Sequence, residues 1–164
     1  MSVDAKGRTS MPARFREVME EHLPARQAKQ VVVVPWFDGC LRVMPTAVWD
    51  AHQDEFERRS GADDIFQLDE QESDLRRFIF GMALDVTLDG QGRVLLPQDL
   101  RDHAGIDRDV YWVGVGAAME IWQPERFQAR FSADRAQQFR RALEARRPGA
   151  SPGAPGGGAE AGDV

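Results

Sequence analysis

Four consecutive valines at 31–34, followed by Pro35, Trp36 and Phe37, form the longest apolar run of the chain. It is far shorter than the roughly 20 residues that a membrane helix needs. Runs of this length bounded by turn residues read as strands. They predict one pair at 30–34 and 40–44 and a second at 110–115 and 118–122. Pro35, Asp38 and Gly39 mark the first loop, and Gly114 and Gly116 the second. Shorter strands at 83–88 and 93–96 flank an Asp-x-x-Gly turn. Helices are predicted at about 13–21 and 98–104, with Pro12 and Pro97 suited to the first helical position and Gly105 stopping the second. Between them, Trp49, Phe56, Leu75, Ile79 and Phe80 fall near helical spacing, so residues 46–81 read as helical with a break at 60–64. After Pro124 one helix is expected to about residue 147, with Phe127/Phe131 and Phe139/Leu143 as i,i+4 pairs.

The same pattern occurs twice. Val3 to Glu17 and Leu88 to Asp102 share apolar-Asp-x-x-Gly-Arg-x-x-apolar-Pro-x-x-apolar-Arg-acidic, with five identical positions at an offset of 85. At an offset of 78, Leu41-Arg42-Val43-Met44 through Trp49 parallels Met119-Glu120-Ile121-Trp122 through Phe127. Two collinear matches mark an internal duplication. A strand-turn-strand-helix unit this small cannot bury both faces by itself, so the copies are expected to pair about a pseudo-two-fold axis and share one β-core. By the second copy's logic a strand of about five to seven residues should precede Asp4. Only three residues do, and an upstream start codon is the expectation.

The organisation expected is therefore a first repeat at 1–49, a helical connector at 50–81, a second repeat at 82–128, a C-terminal helix at 129–147 and a disordered tail at 148–164. The tail is Gly, Ala, Pro and Ser almost throughout. Charge sharpens this picture. The formal net charge is −6, but residues 50–75 alone hold ten acids against Arg58 and Arg59, a balance of −8. Residues 1–30 carry +2, and residues 125–147 carry +4. The acidity sits mainly in one central stretch, and the net charge argues mildly against a simple basic nucleic-acid binder. A single cysteine, Cys40, excludes an internal disulfide and a cysteine zinc site, and fits a reducing, cytoplasmic compartment.

The duplicated turns carry the candidate chemistry. Asp4 precedes Gly7 and Arg8, and Asp89 precedes Gly92 and Arg93. The Asp accepts from backbone N–H groups, and the Gly takes the positive φ of the turn. Four residues on, the Arg is aimed by that carboxylate for bidentate contact with a phosphate or a guanine edge. A single such turn reads as a surface ion pair closing a hairpin. Two at one spacing bring a binding role level with that reading, because stability alone does not require the same arginine twice. Lys6 adds a phosphate contact where the second copy has neutral Gln91, so the first copy should contribute more affinity.

Other groups point nowhere in particular. His22, His52 and His103 lack metal-ligand spacing. No Gly-x-Ser-x-Gly elbow or Gly-x-Gly-x-x-Gly loop appears. The acids of 50–75 and the basic segment 125–147 read as solvated faces. No catalytic residue, cofactor or metal site is singled out. A protein-interaction module is the rival from another class, and an enzyme is the third choice.

The two Asp-x-x-x-Arg units, Asp4-Ala5-Lys6-Gly7-Arg8, Arg76-Arg77-Phe78 before Gly81, and Val113-Gly114-Val115-Gly116 leading to Glu120-Ile121-Trp122 closely resemble the MraZ family over about residues 3–130. The resemblance implies an α+β fold of two tandem AbrB-like swapped-hairpin units. It implies a sequence-specific transcriptional regulator that binds double-stranded DNA at direct repeats, in the promoter of its own division and cell-wall gene cluster. It further implies a ring-like homo-oligomer associated with the nucleoid, without membrane or small-molecule partner. Carried over by position, the family motif falls on Asp4 and Arg8 and on Asp89 and Arg93. An antitoxin-like module without direct DNA readout is the alternative.

Overall fold

The computed structural model describes residues 1–59 and 70–145. The chain divides into two units, Met1–Gln128 and Ala129 onward. The first is mixed helix and antiparallel sheet. In order it contains β1 (Arg8–Ser10), α1 (Ala13–His22), a 3₁₀ turn (Gln27–Lys29), β2 (Gln30–Trp36), β3 (Cys40–Pro45), α2 (Thr46–Arg59), α3 (Glu70–Gly81), β4 (Leu84–Thr87), β5 (Arg93–Leu95), α4 (Gln98–Ala104), β6 (Tyr111–Val115), β7 (Ala118–Trp122) and α5 (Pro124–Arg130). The second unit contains α6 (Ala133–Ala145).

Strand pairing crosses between the repeats. One sheet has the order β4-β2-β3-β7-β6, and β1 pairs with β5 in a separate two-stranded ribbon. The arms of the second Asp turn therefore part company: β4 joins the first repeat's β2, and β5 joins the first repeat's β1. The register is symmetric. In β3–β7, Arg42 faces Glu120, with Leu41 opposite Ile121 and Val43 opposite Met119. In the ribbon, Thr9 faces Val94. Each central pair consists of equivalent positions of the two repeats, so the pseudo-two-fold axis passes through both.

On the outer side of β6, Met1–Val3 occupy the place that β4 holds beside β2. The Val3 N–H donates to the Arg108 carbonyl at 2.7 Å, as the Leu88 N–H donates to that of Lys29 at 2.8 Å. The Val110 N–H donates to the Met1 carbonyl at 2.8 Å.

The valine run explains the core. Strand side chains alternate between faces, and here both faces are covered, so no polar position interrupts the run. Val31 and Val33 join Leu41, Val43, Met119 and Ile121 in one buried cluster, closed by Val94, Leu96 and Leu100. Val32, Val34 and Met44 face the other way onto Trp49, with Ile79 and Phe80 of α3 packed alongside.

Three expectations need correction. Pro35 lies inside β2 rather than in a loop, paired with Leu41. β4 pairs with β2 only from Gln30 to Val33, so Pro35 sits where one side of the strand is free and its missing N–H leaves no gap. Pro12 and Pro97 are N-cap residues, one position ahead of the first helical residue. The single helix expected after Pro124 is two, with a break at Phe131 and Ser132. Ser132 starts the next helix, its carbonyl accepting from Ala136 at 3.0 Å, and Asp134 favours that helix's N-terminal dipole. The break expected at 60–64 and the tail at 148–164 lie outside the described residues. Among the described residues, no helix is long and apolar enough to cross a membrane.

Candidate nucleic-acid interface

Both Asp turns are built alike. Oδ1 of Asp4 accepts the backbone N–H groups of Lys6 and Arg8, each at 2.9 Å. Its Oδ2 accepts Nε of Arg8 at 2.9 Å and meets Nη2 at 2.7 Å. In the second turn, Oδ1 of Asp89 accepts Gln91 N–H at 2.9 Å and Arg93 N–H at 3.0 Å, and Oδ2 accepts Nε of Arg93 at 2.7 Å. The glycines close the turns at φ +80° for Gly7 and +71° for Gly92, where an L side chain is strained. Each carboxylate thus locks its own loop and grips its arginine from the side.

The electrostatics follow from those bonds. Asp4 is held down to about 2, first by the Arg8 side chain and then by the Arg8 backbone N–H. Asp89 is also held below the usual carboxylate range, first by the Arg93 backbone N–H. Both acids stay ionised at neutral pH and keep their arginines aimed.

The ribbon brings the two turns together. Thr9 and Val94 point inward and are buried. Arg8 opposite Leu95, and Ser10 opposite Arg93, make up the alternate, outward positions. The second repeat's arginine reaches the first repeat's acid, with Nη1 of Arg93 3.8 Å from Oδ2 of Asp4. The two-stranded antiparallel ribbon thus carries Arg8 and Arg93 on its outward positions. Lys6 is exposed beside it.

Two arginines that sequence reasoning did not single out belong to this surface. Arg16 of α1 lies over the second turn, close enough that a Cβ on Gly92 would stand 2.5 Å from its Cδ. Arg101 of α4 lies over the first turn, its Nε donating to the Leu96 carbonyl at 3.1 Å, and a Cβ on Gly7 would stand 3.6 Å from that Nε. Each helix arginine thus covers the other repeat's glycine. The signal was present as the Arg-acidic ending of the repeated pattern.

The remaining candidates go elsewhere. Arg126, in the basic segment, donates to the carbonyls of His103 and Gly39 at 3.1 and 3.3 Å, so it braces the fold. His103 meets the Trp36 carbonyl at 3.0 Å, and His22 that of Val18 at 2.9 Å. The Cys40 thiol is pushed up to about 12, first by burial and then by the Glu120 carboxylate, which makes it unreactive. Among the described residues, no three His, Cys, Asp or Glu side chains cluster as a metal site would require.

Comparison with known proteins gives the family of the chain. Residues 79–147 match the family described as "MraZ protein, putative antitoxin-like". The chain is 36% identical over 127 residues to the transcriptional regulator MraZ of Lachnoclostridium phytofermentans, covering 77% of this chain and 79% of that one. It is 37% identical over 125 residues to the protein of the same name from Thioalkalivibrio sulfidiphilus, covering 76% and 77%. With that of Burkholderia cenocepacia it shares 33% over 144 residues, covering 88% and 92%. Identity at this level across most of both chains places the protein in the MraZ family.

Proposed function

We propose that the chain is a non-enzymatic transcriptional regulator that docks the β1–β5 ribbon on double-stranded DNA. The observation that carries this reading is the meeting of the two Asp–Arg turns across the ribbon. Arg8 and Arg93 contact the duplex, Asp4 and Asp89 aim them, Gly7 and Gly92 permit the turns, and Lys6 takes a phosphate. Its relatives carry the name transcriptional regulator, which supports the role. The cross-repeat pairing supports the reading of the repeats as tandem AbrB-like swapped-hairpin units. The target is direct repeats in the promoter of the chain's own division and cell-wall cluster, bound by a ring-like homo-oligomer on the nucleoid. Repetition of the ribbon around a ring supplies the phosphate contacts that an acidic chain lacks singly.

The test is fluorescence anisotropy with promoter DNA across a salt series. Binding that weakens steeply with salt and falls further in Arg8→Ala supports the proposal. The words "antitoxin-like" in the family description keep one rival in play, a protein-binding module. Absence of salt-sensitive DNA binding by the folded protein decides for that rival.

A further inference from the structure

The pseudo-two-fold axis poses a problem of choice. Equivalent strands meet across it, so each repeat could pair with its own kind from another chain as well as with the unlike repeat of its own. Like pairing would string chains together. Sequence identity between equivalent positions would leave the two arrangements nearly equal, and the ribbon crossing does little to separate them. There Thr9 faces Val94. Two threonines or two valines would sit there without conflict, and the Thr9 hydroxyl has no partner among the described residues as it stands.

The sheet crossing is different. Its central positions carry opposite charges, Arg42 in the first repeat and Glu120 in the second, joined by a 2.7 Å bond from Nη2 to Oε1. Glu120 is only 7% exposed. Each repeat also carries the aromatic partner that its own charge needs. Arg42 stacks on Trp36, its Cζ 3.7 Å from the ring centroid. Glu120 receives Nε1–H of Trp122 at its second oxygen, at 2.9 Å. The equivalent of Trp36 in the second repeat is Val115, and that of Trp122 in the first is Met44. Neither could hold the opposite charge as well. Four side chains thus depart from the duplication together at the place where it matters.

We propose that Arg42 and Glu120 form a pairing key on the axis, which makes each repeat accept the unlike repeat and reject its own kind. Like pairing would set two guanidinium groups or two carboxylates directly opposite each other in the sheet, an arrangement that like-charge repulsion penalises. The key is expensive in itself. Among the described residues Arg42 Nε is buried without a partner, and an ion pair drawn out of water is often no more stabilising than an apolar one of the same shape. Its use lies in exclusion, the best attested role for buried charge pairs.

Three full-length variants test this. Arg42→Glu places Glu at both axis positions, Glu120→Arg places Arg at both, and the double variant R42E/E120R exchanges the charges. Each single variant should melt well below the parent protein, and the exchange should recover part of that loss, since the aromatic partners Trp36 and Trp122 stay behind. The two single variants, one of them isotope-labelled, are then unfolded, mixed and refolded together. With the key, every complex seen by native mass spectrometry holds the two chains in equal number and melts above either chain refolded alone. A binomial spread of the two chains, a melt that is the sum of two separate ones, or no recovery on exchange would overturn the proposal. None of these readouts involves DNA, so a failure here is separate from a failure of the DNA-binding reading.

Discussion

Nη1 of Arg93 lies 3.8 Å from Oδ2 of Asp4, a contact between two turns that the sequence places in different repeats. Among the described residues, Asp4 therefore serves two arginines, whereas Asp89 holds Arg93 alone. Asp4→Asn should release both. We expect it to lower the melting temperature, and by more than Asp89→Asn does. Equal shifts in paired thermal melts would count against a shared carboxylate.

The DNA contacts should be unequal as well. Lys6 stands beside Arg8, while Gln91 holds the matching place beside Arg93. Arg8→Ala is expected to weaken promoter binding by about 1–3 kcal/mol, roughly five- to 150-fold, and Arg93→Ala by less. Anisotropy titrations at one salt concentration decide this, and equal losses would contradict the asymmetry.

The two turn glycines make a sharper comparison. A Cβ at Gly7 meets the Leu96 carbonyl oxygen at 2.8 Å, a backbone atom of the other repeat, on top of the strain at φ +80°. At Gly92 the clash is with the Arg16 side chain, which is able to swing aside. Gly7→Ala should cost about 1–3 kcal/mol, and Gly92→Ala about 1 kcal/mol. Urea midpoints of the two variants give the order directly.

Acid should undo the first turn late. A carboxylate depressed in the folded state stabilises fully above its unfolded value, about 4, and that contribution fades as pH falls through the folded value. For Asp4, held down to about 2, the loss falls between about pH 4 and pH 2. Asp4→Asn should flatten the dependence of stability on pH within that window and leave it unchanged near neutrality. A variant whose acid melting curve parallels the parent's would show that Asp4 is not the titrating group.

Much of this was legible because duplication makes weak local signals visible twice. The Asp-x-x-Gly-Arg turn recurs with its geometry intact, and strands β2, β3, β6 and β7 fall where their apolar runs lie. What the chain order hides is which strand meets which. Pro35 looks like a loop residue until the short β4 leaves its side of β2 open. Arg16 and Arg101 sit on helices and look like surface charges; they reach the turns only because each repeat's helix crosses to the other repeat. Arg42 and Glu120 occupy matched positions with opposite signs, a difference without meaning until the register sets them face to face. The split between α5 and α6 rests on one serine, too small a signal to outweigh helical phenylalanine spacing.

The crossed strands also bear on synthesis. The first repeat's β3 takes Ala118–Trp122 as its neighbour, and its β2 takes Leu84–Thr87. While the chain emerges from the ribosome, β2 and β3 pair with each other, but the free edge of β2 waits for Leu84–Thr87 and that of β3 for Ala118–Trp122. Non-local pairing of this kind folds slowly, and a waiting strand edge is open to other nascent chains. The molecule is therefore finished only at the end of translation, in one cooperative step, and a message truncated before residue 118 should yield a product for degradation rather than half a working protein.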